Sequence, residues 1–159
     1  MKSRDSIKLR GYLIAECYGP GGRLRWRDEG PNLVVDEGIN FIWANDMEAA
    51  TLFVGLKDTG TPAVGWTLAS GLTEINPYAG NRIAFVEDAS AVDEGISNSL
   101  SPAIFTINAV DEVFGAFLTD VNTGTGGTLI AAKDFVGGSH NVFGGDKLNI
   151  TYTITATSS

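Results

Sequence analysis

Few residues in this chain of 159 are of types that carry chemistry, and they are scattered. His140 is the only histidine and Cys17 the only cysteine. A metal centre needs several converging donors, yet His140, in GGSHNVFGGD, has no partner histidine and Cys17 stands far off in sequence. The expectation is a surface or locally hydrogen-bonded histidine and a small buried thiol, with no metal ligand and no cofactor. No serine sits in a G-x-S-x-G elbow, so an acyl-transfer site would have to gather His140, an acid and a serine from separate loops. The acid pairs Asp28-Glu29, Asp93-Glu94 and Asp111-Glu112 are adjacent, and on an extended chain adjacent side chains diverge. Glu87 to Gly95, EDASAVDEG, lacks the spacing of a calcium loop and reads as a solvated acidic loop. The glycine runs Gly124 to Gly127 and Gly144-Gly145-Asp146 lack the Gly-Lys-Ser/Thr ending of a phosphate loop and read as hairpin turns. The chain is expected not to be an enzyme.

Charge is the stronger signal. Residues 1–30 hold seven Lys or Arg against four Asp or Glu, whereas residues 31–159 hold four against fifteen. An acidic bulk disfavours broad contact with phosphate backbones. Within the basic segment, Arg23, Arg25 and Arg27 alternate with Leu24 and Trp26, as on the return strand of a hairpin that follows the turn Gly19-Pro20-Gly21-Gly22. Three arginines on one face can meet a nucleic acid, an acidic protein surface or only water. The site residues taken for a protein interface are Ile7, Leu9, Arg23, Arg25, Trp26 and Arg27, with the arm of residues 1–10 flexible or docking. The start MKSRDSIKLR lacks the apolar run of an export signal, and no stretch approaches the roughly 20 apolar residues that span a bilayer. Synthesis in the cytoplasm, without membrane or direct nucleic-acid contact, is the expectation.

The elements that would position these residues are strands. Glycine, threonine and serine are abundant, and 43% of residues are hydrophobic, enough for one self-sufficient core. Lys147 to Thr157 shows the clearest period: Leu148, Ile150, Tyr152 and Ile154 on one face, Asn149, Thr151, Thr153 and Thr155 on the other. Ser6 to Tyr18 supplies a first strand, with a bulge expected at Gly11. Thr51 to Asp58, Leu72 to Ile75, Asn81 to Val86, Ile96 to Leu100, Ala103 to Ala109, Val113 to Thr119 and Thr128 to Phe135 add the rest, giving nine or ten. Ala103 to Ala109 reads as interior, and Asn122 to Gly127 and Gly137 to Gly145 as joints. Thr59 to Gly71 reads as a long loop carrying Trp66. One short helix is expected near Asp36, which would cap it, with Ile39, Ile42 and Trp43 facing inward. The predicted architecture is all-β, a single antiparallel β-sandwich over residues 11–159 with a jelly-roll variant, plus that helix.

The succession NLVVDEGINFIW, TLFVGLKD, LTEINPYAGNRIAF, ISNSLSPAIFTINA, EVFGAFLTD, GGTLIAAKDF and GDKLNITYTITAT resembles small structural proteins of tailed bacteriophages. The resemblance covers about Gly11 to Ala156. It implies a virion component, and within that group a capsid decoration (cement) protein on the capsid surface. Its partners would be the major capsid protein and neighbouring copies or a homo-oligomer. A head fibre or tail-associated host-recognition module, with Trp66, Tyr78 and His140 on its binding loops, and a connector subunit are the alternatives.

Overall fold

A computed structural model describes residues 7–47, 49–89 and 95–158. Twelve strands and one helix follow in order: β1 (Ile7–Tyr18), β2 (Leu24–Val34), α1 (Asp36–Ala44), β3 (Leu52–Lys57), β4 (Glu74–Ile75), β5 (Ile83–Phe85), β6 (Gly95–Ser97), β7 (Ala103–Thr106), β8 (Asp111–Val113), β9 (Gly115–Thr119), β10 (Leu129–Asp134), β11 (His140–Val142) and β12 (Lys147–Ser158). Ten strands form one curled sheet in the order β4-β3-β9-β10-β2-β1-β12-β6, with β5 also on β3 and β7 also on β12; β8 and β11 form a separate ribbon. This is the antiparallel all-β body with one helix expected above, joined through β2 as a continuous sheet.

The curl is built into β2. Its residues up to Asn32 pair with β1, and then Leu33 and Val34 cross over to pair with β10. Pro31 sits just before the crossover, opposite Tyr12. Proline has no N–H, and it is tolerated here because that position faces away from β1, where β10 has not yet begun to pair.

The two halves of the sheet are covered differently. In β9 every residue is buried, and in β10 all but Asp134. One side of this half faces the main core of Leu13, Val54, Leu118, Ile150 and Tyr152 among others. A second cluster, Val35, Leu68, Phe117, Leu129 and Ala132, forms with Trp66, Leu72 and Val121. The loop between β3 and β4 thus brings Trp66 and Leu68 onto the sheet as a lid, and burial of that apolar surface holds it down. In the other half, Leu13, Ala15 and Cys17 of β1 and Leu148, Ile150, Tyr152 and Ile154 of β12 are buried, while Tyr12 is 42% exposed on the opposite face.

Several expectations need correction. Residues Ile7 to Arg10 continue β1 and pair with Ser158 to Thr155, so they are sheet and not arm; residues 1–6 lie outside the described residues. Gly11 carries no bulge: its register is unbroken, and the position over it is filled by the Asn32 carboxamide, which a Cβ would meet at 1.3 Å. The helix is capped by Val35 without a side-chain bond, and Asp36 is its first residue. Ile39, Phe41 and Ile42 pack on the core, whereas Trp43 is 60% exposed. β7 alternates buried and exposed, leaving Ile104 outside, and the joint 137–145 contains β11. Asp88, placed in a solvated loop, is buried and accepts bonds from Ser99 Oγ and the Leu100 N–H; residues 90–94 of that loop lie outside the described residues.

Candidate protein-interaction surface

The β1–β2 hairpin turns through Gly19 to Gly22, with Gly22 at a φ of 77° that suits glycine. The register then shifts: Cys17 pairs with Trp26 but Tyr18 pairs with Leu24. Arg25 is the extra residue of this bulge, and a bulge re-aims side chains. The arginines therefore do not share a face. Arg25 Nε donates to Asp146 Oδ1 at 2.9 Å, and its guanidinium lies 5.4 Å from the centre of the Phe143 ring. Asp146 is fully buried and accepts from the Phe143 N–H with its other oxygen. Burial, and then the charge of Asp146, push the Cys17 thiol up to about 12. Arg27 lies on the outer face between Glu29 at 2.5 Å and Glu16 at 3.7 Å. Arg23 precedes β2 and is exposed.

Trp26 points inward and is half-buried. Its ring stacks on His140, centroids 4.3 Å apart and planes 13° from parallel, and its Nε1–H donates to the Asn141 carbonyl at 3.1 Å. His140 Nε2 lies 3.1 Å from Asp28 Oδ2. Asp28, 6% exposed, also accepts from the N–H groups of Val136 and Gly137, both at 2.8 Å. Burial raises the Asp28 carboxyl, but those two amides and His140 outweigh it and hold the group below its ordinary value. Lys133, on β10 and also buried, is lowered by burial against the pull of Asp28 and Asp134. These groups latch the connection between β10 and β11 to β2. His140 is thus half-buried and hydrogen-bonded across the sheet to a partner 112 residues away, not the surface or locally bonded histidine expected.

Of the six residues assigned to contact, Arg25 and Trp26 work internally, Arg27 is paired on the outer face, and Arg23 is exposed at the hairpin tip. Ile7 is paired through its backbone to Ser158. Leu9 is half-buried beside a mainly apolar cleft of about 240 Å³ that Ile42, Met47, Ile96, Ile154 and Ala156 line together with Asp46. Of the three loop residues considered for host recognition, Tyr78 is buried, while Trp66 and His140 are half-buried.

A broad solvent-facing surface is the outer face of β2, β1 and β12, where Tyr12, Arg27 and Pro31 are exposed and Ile14, Glu16, Thr151 and Thr153 half-buried. Cross-strand pairs define it: Pro31, Tyr12 and Thr153 in one row, Glu29, Ile14 and Thr151 in the next, then Arg27, Glu16 and Asn149, with Ile104 of β7 beside Asn149. Asn149, Thr151, Thr153 and Thr155, the polar face of β12 in the sequence, lie on this side. Beyond the point where β2 departs, Lys8 and Arg10 continue this face and are exposed, and neither makes an ion pair among the described residues. Comparison with protein-family models, with curated proteins and with solved structures found no match.

Proposed function

We propose that this chain is a capsid decoration protein of a tailed bacteriophage, which binds the assembled major capsid shell and stabilises it. One observation carries the reading: half of the sheet is covered on both faces, while the outer face of β2, β1 and β12 is left uncovered among the described residues. At about 3.3 Å per residue, β1 and β12 run side by side for roughly 40 Å, and β2 widens the face over the Gly11–Tyr18 part of β1, about 26 Å. Rows of threonine with Tyr12, Ile14 and Ile104 make that face amphipathic, suited to a wet, specific contact. The sequence resemblance supplies the virion context, with cytoplasmic synthesis followed by residence on the capsid surface.

Stabilisation follows from mass action, because a protein that binds the assembled shell and not its free subunits shifts the balance towards the shell. Contacts to adjacent shell subunits, or to neighbouring copies of the chain, would add avidity. Nucleic acid and membrane have no part in this function.

The test is occupancy on purified expanded shells, read by particle imaging. Wild-type chain is expected at many regularly spaced positions, and Thr153→Arg with Ile14→Lys, both on the outer face and the second opposite Glu29, should empty them while the isolated chain keeps its melting temperature within a few degrees. Full occupancy by the double variant would overturn the choice of face. Copies confined to one vertex would identify a connector, and binding to host cells with little affinity for shells would identify a fibre module; either would overturn decoration.

A further inference from the structure

The departure of β2 leaves β1 with a free edge. From Ile7 to Arg10 the strand pairs with β12 on one side, and with nothing on the other among the described residues. Thr157 and Thr155 donate their hydroxyls to the carbonyls of Lys8 and Arg10, at 3.4 and 3.5 Å, so those carbonyls point to β12. Successive residues of an antiparallel strand turn their N–H and C=O to opposite edges. Ile7 and Leu9 therefore direct their backbone donors and acceptors to the open side. The side chains alternate as well: Lys8 and Arg10 stand on the outer face, Leu9 beside the mainly apolar cleft lined by Ile42, Met47, Ile96 and Ile154, with Asp46 at it too.

We propose that this edge accepts an extended acidic strand from a partner protein, which adds to β1 and seats one apolar side chain in the cleft. The occupant's pattern is acid, apolar, acid: main-chain bonds to Ile7 and Leu9, an apolar residue opposite Leu9, and carboxylates facing Lys8 and Arg10 on the outer face. The same charges disfavour a second copy of this chain. Antiparallel pairing of two such edges about Leu9 would set Lys8 of each against Arg10 of the other, and like charges directly opposite repel. On the decoration reading the donor is a segment of the shell, but strand acceptance is a property of the isolated chain and can be measured without particles.

The probe is an octapeptide alternating glutamate and valine, with a lysine-for-glutamate counterpart, added to the isotope-labelled full chain. Hydrogen exchange at the Leu9 amide and peptide affinity are the readouts. The acidic peptide should slow Leu9 exchange and bind at least about ten-fold more tightly than the basic one, and Lys8→Glu with Arg10→Glu should reverse that preference. Ile42→Glu, which puts a charge in the cleft, should weaken the acidic peptide; if it unfolds the chain, Met47→Glu serves in its place. Equal affinity for both peptides, or no protection at Leu9, would overturn the proposal, as would Leu9 protection that rises with protein concentration when no peptide is present. Loss of shell occupancy with peptide binding intact would instead count against the decoration reading alone.

Discussion

Replacing Asn98 by alanine should cost far more than a loop position between two short strands suggests. β6 ends at Ser97 and β7 begins at Ala103, and both lie on the same edge of β12, at residues 153–155 and 147–150. Between them the ladder of β12 would stand open in the core. Asn98, fully buried, closes the gap: its Nδ2 donates to the Ile150 carbonyl at 3.2 Å, its Oδ1 accepts the Tyr152 N–H at 2.7 Å, and its own N–H donates to the Tyr152 carbonyl at 3.3 Å. Alanine keeps the last bond and abandons the first two. A buried backbone group left without a partner costs about 1–3 kcal/mol, so the pair sums to about 2–6 kcal/mol. In a chain of this size that lowers the melting temperature by roughly 5–20 °C. Urea unfolding followed by tryptophan fluorescence reads the cost directly, provided the m-value matches wild type. Asn98→Asp sharpens the test. Its carboxyl would face the Ile150 carbonyl, and burial would raise its folded pKa above the unfolded value of about 3.9. Its contribution would be present below that value and lost as pH rises through the folded pKa, so this variant should be closer to wild type at pH 4 than at pH 7. A cost below about 1 kcal/mol for alanine, or no such pH trend for aspartate, would refute the account of a side chain substituting for a strand residue.

Two further outcomes follow from close packing and from charge. Gly38→Ala should destabilise, although helix propensity alone favours alanine by about 1 kcal/mol. A Cβ there would lie 2.1 Å from the Ile130 carbonyl oxygen and force α1 off β10, so a net loss of about 1–3 kcal/mol is expected by chemical denaturation; a gain would show that the helix does not sit as described. Asp28 has its folded pKa depressed, so its stabilisation is present above the ordinary carboxylate value and lost as pH falls through the folded one. Asp28→Asn should therefore be less stable than wild type near neutrality and show a shallower decline in stability below pH 4; parallel acid-unfolding curves would sink that assignment.

Local pattern carried most of the strands and little of what joins them. The alternation of Leu148, Ile150, Tyr152 and Ile154 is β12 as expected, because a half-buried strand writes its two faces into its own residues. The arginine stripe failed for a reason outside the local pattern. One extra residue between Cys17 and Tyr18's partners turns Arg25 to Asp146, 121 residues away, and no local spacing encodes that. His140 with Asp28 and Asn98 with β12 are likewise pairings across the sheet. By propensity alone Gly38 disfavours a helix, and the contact with Ile130 that requires glycine exists only once α1 lies on β10. The open face was half legible: Thr151, Thr153 and Thr155 marked it, but its other rows come from Tyr12, Ile14 and Glu29, whose alignment depends on the register of β1 with β2 and β12.

The division of labour among the basic residues bears on how such a surface can be selective. Arg25 and Arg27 meet carboxylates of this chain, as does Arg82, buried against Glu74 and the carbonyls of Val121 and Gly124. Cations held this way fix the hairpin and the loop after β9, and offer little to a partner because their carboxylates would have to be displaced first. Lys8 and Arg10 differ in having no ion-pair partner among the described residues and in flanking a backbone edge. Their charge is worth little by itself at the surface, where solvent and salt screen it. Its effect grows when a strand pairs alongside, because the hydrogen bonds to Ile7 and Leu9 hold opposing carboxylates in register and a repelled sequence cannot take that register at all. Selectivity then comes from coupling charge to backbone pairing, and it should weaken in high salt while the hydrogen-bonded register, read at the Leu9 amide, persists for any peptide still bound.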